Sequence, residues 1–178
     1  QSVFIDGYTQ GDSVKNTNQA PQPFNGTVRV AVYNTNAGGG FTVTAPNVTL
    51  QGLNIADSED GNIVLDHADG FKLLGSYLDT QTAGYGKQKT DGFVNSVVIN
   101  NSDNVTIGGT AAADRNILGY CTESCIVASG STGDPSNNLR ILGNFIGVGA
   151  DAVANLFTAA KGTGIVLSEG ATNAFIGG

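Results

Sequence analysis

The chain has 178 residues, a formal net charge of −7, 13% charged residues and 26 glycines. That length fits one domain with a buried core, and 40% apolar residues is too many for a disordered chain. The negative charge argues against nucleic acid or an anionic membrane surface as partner, no run of 18 apolar residues inserts into a membrane, and the glycines lack the period of three that collagen needs.

Residues 1–40 read as a less regular lead-in, residues 41–178 as regular coils, and the whole of 1–178 as one domain. There is no methionine, so a mature terminus at Gln1 or a segment of something longer is expected. From residue 47 one unit returns: NVTLQG at 47–52, GFKLLG at 70–75, NVTIGG at 104–109, NLRILG at 138–143 and NAFIGG at 173–178. In each copy the second and fourth residues are apolar, as in Val48/Leu50 and Leu139/Ile141, and the residue between them is Thr49, Lys72, Thr106, Arg140 and then Phe175. Period-two alternation predicts a half-buried strand rather than a helix, and each unit ends on a glycine suited to a turn.

Between these units lie a second strand type and a third. The second is NIVLD at 62–66, SVVIN at 96–100, CIVAS at 125–129 and GIVLS at 164–168; the third is NILGY at 116–120 and NFIGV at 144–148. An antiparallel sandwich would show unlike strands joined by tight hairpins. Like strands returning at intervals predict a parallel solenoid instead, an all-β right-handed parallel β-helix of three-strand coils, about six to seven of them. Asn47, Asn104, Asn138 and Asn173 share one register position, with Gly70 the exception, and are expected to form an asparagine ladder at a corner. Asn25 and Asn100 head Asn-x-Thr/Ser sequences and are candidate glycosylation sites.

FIDGYTQ at 4–10, TAPNVTLQGLNI at 44–55, NVTIGGTAAADRNIL at 104–118, LGNFIGVGADAVA at 142–154 and GIVLSEGATNAFIGG at 164–178 resemble right-handed parallel β-helix repeat proteins of bacterial surfaces. These relatives often carry a Cys-Ser-Leu-Arg-Glu-Ala-Ile segment, which this sequence lacks. The resemblance implies the pectin-lyase-like fold and a location outside the cell or on its surface; it implies no chemistry.

The same fold serves enzymes on acidic glycans, so a polysaccharide lyase or epimerase is the catalytic alternative. It would rest on Asp66, His67, Asp69 and Lys72 in VLDHADGFK, with the lone histidine as base. Only Arg29, Arg115 and Arg140 offer arginine grips for a uronate, on separate repeats, while the loop at 78–93 groups Tyr85, Lys87 and Lys89 as a sugar-binding alternative. The acidic turn ADSEDGN at 56–62 lacks calcium-loop spacing, leaving at most weak surface calcium, and no resident metal or other cofactor is expected. Cys121 and Cys125 are spaced too widely for a thioredoxin motif and are too few for zinc. They suit a local disulfide stapling a corner, or else two small buried residues.

Neither end of the sequence shows a capping element, and Phe175 with Ile176 in the last unit are expected to meet another surface. The reading that follows is an extracellular structural protomer stacking head to tail with copies of itself into a filament or surface layer. The alternative is a non-catalytic stretch of a long secreted surface protein or adhesin. Polysaccharide is a further candidate partner; nucleic acid and membrane insertion are not expected.

Overall fold

The structure, a computed structural model, describes residues 2–33, 40–58, 61–84, 86, 95–157 and 162–178. Among them no α-helix occurs; two 3₁₀ turns, Gly7–Thr9 and Ala112–Asp114, interrupt short strands. The first pass of the chain gives β1 (Val3–Asp6), β2 (Val30–Tyr33) and β3 (Phe41–Val43), and the second β4 (Val48–Gln51), β5 (Leu53–Ala56) and β6 (Ile63–Asp66). The third gives β7 (Lys72–Leu74), β8 (Tyr77–Leu78) and β9 (Val97–Asn100), and the fourth β10 (Thr106–Gly108), β11 (Ile117–Leu118) and β12 (Ser124–Ser129). The fifth adds β13 (Ser136–Asn137), β14 (Arg140–Leu142), β15 (Phe145–Ile146) and β16 (Thr163–Leu167); the sixth adds β17 (Ala171–Thr172) and β18 (Phe175–Gly177).

The protein is all-β with parallel sheets. Its first sheet runs β1-β4-β7-β10-β14-β18, its second β2-β5-β8-β11-β15 and its third β3-β6-β9-β12-β16, with β13-β17 as a short fourth; none closes on itself. The chain visits the three large sheets in rotation, so residues at one repeat position pile into columns. Ile5, Leu50, Leu73, Ile107, Ile141 and Ile176 form one such column, and its four interior members are almost wholly buried. Each buried side chain of this size stabilises by roughly 1.5–3 kcal/mol. The lead-in region is not outside this order, because β1 and β2 already pair with β4 and β5.

Turning the chain at each pass requires left-handed backbone. Asn47, Gly70, Asn104, Asn138 and Asn173 occupy one corner with φ of 58°, 71°, 57°, 58° and 48°, a conformation that costs asparagine and glycine less than other residues. This conformation, rather than a continuous amide ladder, accounts for the recurring asparagines. Asn138 Nδ2 donates to Asn104 Oδ1 at 2.7 Å, but Asn173 Nδ2 donates to Asn137 Oδ1 instead, and Gly70 interrupts the column beside Asn47.

The continuous side-chain ladder lies inside, at the position shared by Leu53, Ser76, Asn116 and Asn144. Leu53 N donates to Ser76 Oγ, Ser76 N to Asn116 Oδ1 and Asn116 N to Asn144 Oδ1. A shorter one joins Ala68 N to Ser102 Oγ and Ser102 N to Ser136 Oγ. Each side chain stands in for the carbonyl that a bend takes away, so the N–H groups of Leu53, Ser76, Asn116, Ala68 and Ser102 keep a partner.

Residues 7–29 leave the sheets and run across successive passes as a strap. Tyr8 Oη donates to Gly75 O, Asn16 Nδ2 to Ala112 O at 2.7 Å and Phe24 N to Ala150 O at 2.7 Å, while Arg115 Nη1 donates to Gln22 O at 3.0 Å. Phe24 packs edge-on against Tyr77 at 5.2 Å between ring centres. Burial pushes the Tyr8 and Tyr77 hydroxyls well above the ordinary tyrosine range. A second small core of Phe24, Val28, Tyr77, Ile117, Ala150 and Leu156 forms under the strap, outside the second sheet.

Candidate functional site

Asp66 ends β6, and His67 turns the next corner at φ 56°. The half-exposed imidazole lies between two carboxylates: Nδ1 is 2.8 Å from Asp66 Oδ1 and Nε2 is 2.8 Å from Asp134 Oδ2. A carboxylate accepts but cannot donate, so serving both at once makes both ring nitrogens donors, which is the imidazolium form. The hydrogen bond to Asp134, then the charge of Asp66, raises the histidine's pKa above its ordinary value.

A general base needs a free lone pair aimed at a substrate proton, and both ring nitrogens of His67 are already engaged. Asp69 Oδ1 accepts Asp103 N at 2.8 Å, and Lys72 starts β7 on the outer face of the first sheet. Asp66 and His67 are therefore brought together, while Asp69 and Lys72 have separate settings. What the cluster does is tie the corner at 66–67 to the small hairpin bridged by Ser131 and Asp134.

This tie is expected to depend on pH. Because the folded pKa of His67 lies above 6.5, the contribution is complete below the unfolded value and is lost as pH rises through the folded one. Proton NMR of the single imidazole should give a titration above 6.5, moving back towards it in Asp134→Asn. A midpoint at or below 6.5 in the parent chain would rule the tie out.

The arginines stand apart from one another. Arg29 pairs with Asp12 at 2.9 Å on the surface and, through that hydrogen bond, lowers the Asp12 pKa. Arg115 is buried, its guanidinium 4.4 Å from the centre of the Phe145 ring. Arg140 is exposed at the start of β14. Tyr85, Lys87 and Lys89 lie outside the described residues, as do Glu59 and Asp60 of the acidic turn. Within the described part of that turn, Asp57 Oδ1, Ser58 Oγ and both amide atoms of Asn62 are buried without a hydrogen-bond partner. Among the described residues no group of three or more histidines, cysteines or acids is placed to hold a metal ion.

Asn25 is exposed, with its amide bonded to Thr17 and Asn18. Asn100 Oδ1 accepts from Ser129 Oγ, and Ser102, the hydroxyl residue of its sequon, is fully buried. Cys121 and Cys125 are buried and joined as a disulfide with Cα atoms 5.0 Å apart, at the corner leading into β12.

Two surfaces remain. One is the outer face of the first sheet, whose outward column reads Phe4, Thr49, Lys72, Thr106, Arg140, Phe175, the two threonines half-buried and the rest exposed. The sequence places Thr49, Lys72, Thr106, Arg140 and Phe175 at one position of the repeating unit; Phe4, which precedes the first unit, joins them only through its pairing with Thr49. The other is the pair of edge strands, where Phe4 (61%), Phe175 (60%) and Ile176 (50%) are exposed large apolar side chains. No protein-family model matches the chain, and no curated protein or solved structure is significantly similar to it.

Proposed function

We propose that the chain is an extracellular structural protein, a right-handed parallel β-helix protomer that stacks end to end with copies of itself into a filament or surface layer. Its repeat motifs resemble those of bacterial surface β-helix proteins, and the Cys121–Cys125 disulfide suits an oxidising location. The observation that carries the reading is the outer column of the first sheet. Its interior members are threonine, lysine, threonine and arginine, and its two edge members are Phe4 and Phe175.

A second copy stacked in the same register brings its Phe4 against Phe175 and its Ile5 against Ile176 at one strand spacing, about 4.8 Å. The second and third sheets have five strands to the first sheet's six, so the same step leaves one strand's place open in each, between Ile146 and the second copy's Val32 and between Ile165 and its Phe41. Apolar meets apolar along the first sheet, and the edges of β1 and β18 gain partners. Such a head-to-tail contact does not close, so it propagates.

The reading is tested on the 178-residue chain by sedimentation velocity and negative-stain microscopy. Long assemblies are expected, blocked by Phe4→Lys and by Phe175→Lys separately. An equimolar mixture of the two variants should stop at a dimer, because each retains the end the other lacks. A parent chain that stays monomeric at all concentrations overturns self-assembly and favours further coils of a longer surface protein as the cover for these edges. Assemblies that ignore both substitutions overturn the register.

A further inference from the structure

The corner that joins the second sheet to the third gathers buried oxygens without hydrogen-bond partners. Among the described residues, seven buried side-chain nitrogen and oxygen atoms lack a partner, and five of them, four oxygens and one nitrogen, belong to Asn54, Asp57, Ser58 and Asn62. Buried polar atoms left unpaired are rare in folded proteins, and such a concentration points to an ion or to ordered water. Asn54 lies in β5, Asp57 and Ser58 follow that strand, and Asn62 precedes β6. Asn54, Ser58 and Asn62 are fully buried, and Asp57 turns the chain at φ 67°. Asn54 Nδ2 donates to Tyr33 Oη at 3.3 Å, and burial, then the charge of Asp57, raises the pKa of that same hydroxyl. A Cβ on Gly40 would sit 2.9 Å from Ser58 Oγ and 2.3 Å from Asn62 O, so glycine is what lets the chain entering β3 lie against this corner.

We infer that this corner binds a calcium ion, with Asp57 Oδ1, Ser58 Oγ and Asn62 Oδ1 as ligands. All three are oxygens, the donor set that favours calcium or magnesium over transition metals. Calcium accepts irregular cages of carboxylate, amide and hydroxyl oxygens completed by water, whereas magnesium demands a near-regular octahedron. Asn54 Oδ1, the fourth orphaned oxygen, accepts from a water of the ion's shell. With one carboxylate among the ligands, the affinity belongs in the range of extracellular calcium modules, a Kd of about 10⁻⁴–10⁻³ M. The turn lacks calcium-loop spacing, and among the described residues no cluster of three acids marks it; the burial of unpaired oxygens does. The site lies within one chain and away from the first sheet, so it is independent of end-to-end assembly and persists in a monomer.

The test is a titration of the full chain with terbium(III), a calcium substitute whose emission is sensitised by a nearby tyrosine, here Tyr33. Expected is emission that saturates at one ion per chain and that calcium displaces at lower concentration than magnesium does. Asp57→Asn, whose side chain tolerates the same left-handed backbone, should weaken terbium binding ten-fold or more, and Ser58→Ala should weaken it less. Tyr33→Phe should remove most of the emission. Asp151→Asn, an exposed carboxylate elsewhere, should leave binding unchanged. Millimolar calcium should raise the melting temperature of the parent chain and not that of Asp57→Asn. No saturable emission, emission indifferent to Asp57→Asn, or a melting temperature that calcium does not move would each overturn the assignment and leave ordered water as the partner of these atoms.

Discussion

Asn116→Ala is expected to destabilise the chain by roughly 3 kcal/mol, because two buried backbone groups lose their partners at once. Asn116 is fully buried; its Oδ1 accepts Ser76 N at 2.9 Å, and its Nδ2 donates to Leu73 O and to Asn144 Oδ1, both at 2.9 Å. Alanine removes all three bonds and admits no water to replace them. Asn116→Asp keeps the acceptor but turns an oxygen towards Leu73 O and Asn144 Oδ1, so it should also be costly at neutral pH. Asn116→Ser should recover part of the loss, because Ser76 performs the same task one pass earlier, accepting Leu53 N. Urea unfolding of the three variants checks the order. An alanine variant within about 0.5 kcal/mol of the parent, the range of ordinary surface changes, would mean that the ladder is incidental to stability.

That ladder shows where sequence reading succeeds and where it stops. The five recurring units could be read because a strand with one face buried imposes period-two alternation, and each unit falls on a strand of the first sheet, β4, β7, β10, β14 or β18. The third strand type could be read only in two copies, each beginning with asparagine, at Asn116 and Asn144. Their partner Ser76 and the apolar Leu53 break the resemblance, although all four share one position. A column that needs only a hydrogen-bonding side chain tolerates serine or asparagine, and a pattern search built on identity passes over it.

The rest was hidden by distance along the chain. The repeat register favours a turn at His67 over a base, but nothing local to Asp66 and His67 points to Asp134, 67 residues further on, so the carboxylate that ties the imidazole stays hidden. The strap at 7–29 finds its partners at Gly75, Ala112 and Ala150, and no periodicity marks it. Phe4 and Phe175 bracket the polar column only once the strands are in register, because in sequence Phe4 precedes the first recognisable unit.

Gly108→Ala is the second large effect expected, and it tests the turn that ends the first sheet's strands. Sequence reading put the essential glycine at the sixth position of each unit, which in NVTIGG is Gly109. The structure moves it one residue earlier: Gly108 has φ 80°, and a Cβ there would sit 2.2 Å from Leu142 O and 2.4 Å from Asn144 Oδ1. The left-handed backbone alone costs a side chain about 1–2 kcal/mol. The collision with Leu142 O cannot be relieved by a rotamer, since that oxygen is backbone and accepts Gly109 N at 3.0 Å. β10 and β14 must therefore separate locally, and Asn144, the last member of the ladder, is pushed away with them. A total near 3 kcal/mol is expected, equivalent to roughly 6–12 °C in the melting temperature of a chain this size. Gly133→Ala is the control, since its Cβ meets nothing within 4 Å and its φ is not left-handed, so it should lie within about 0.5 kcal/mol of the parent. Equal melting temperatures for the two variants would show that β10 and β14 are not held as closely as their register implies. A large gap, with faster amide exchange at Gly109 in Gly108→Ala, would locate the damage at the contact between these two strands.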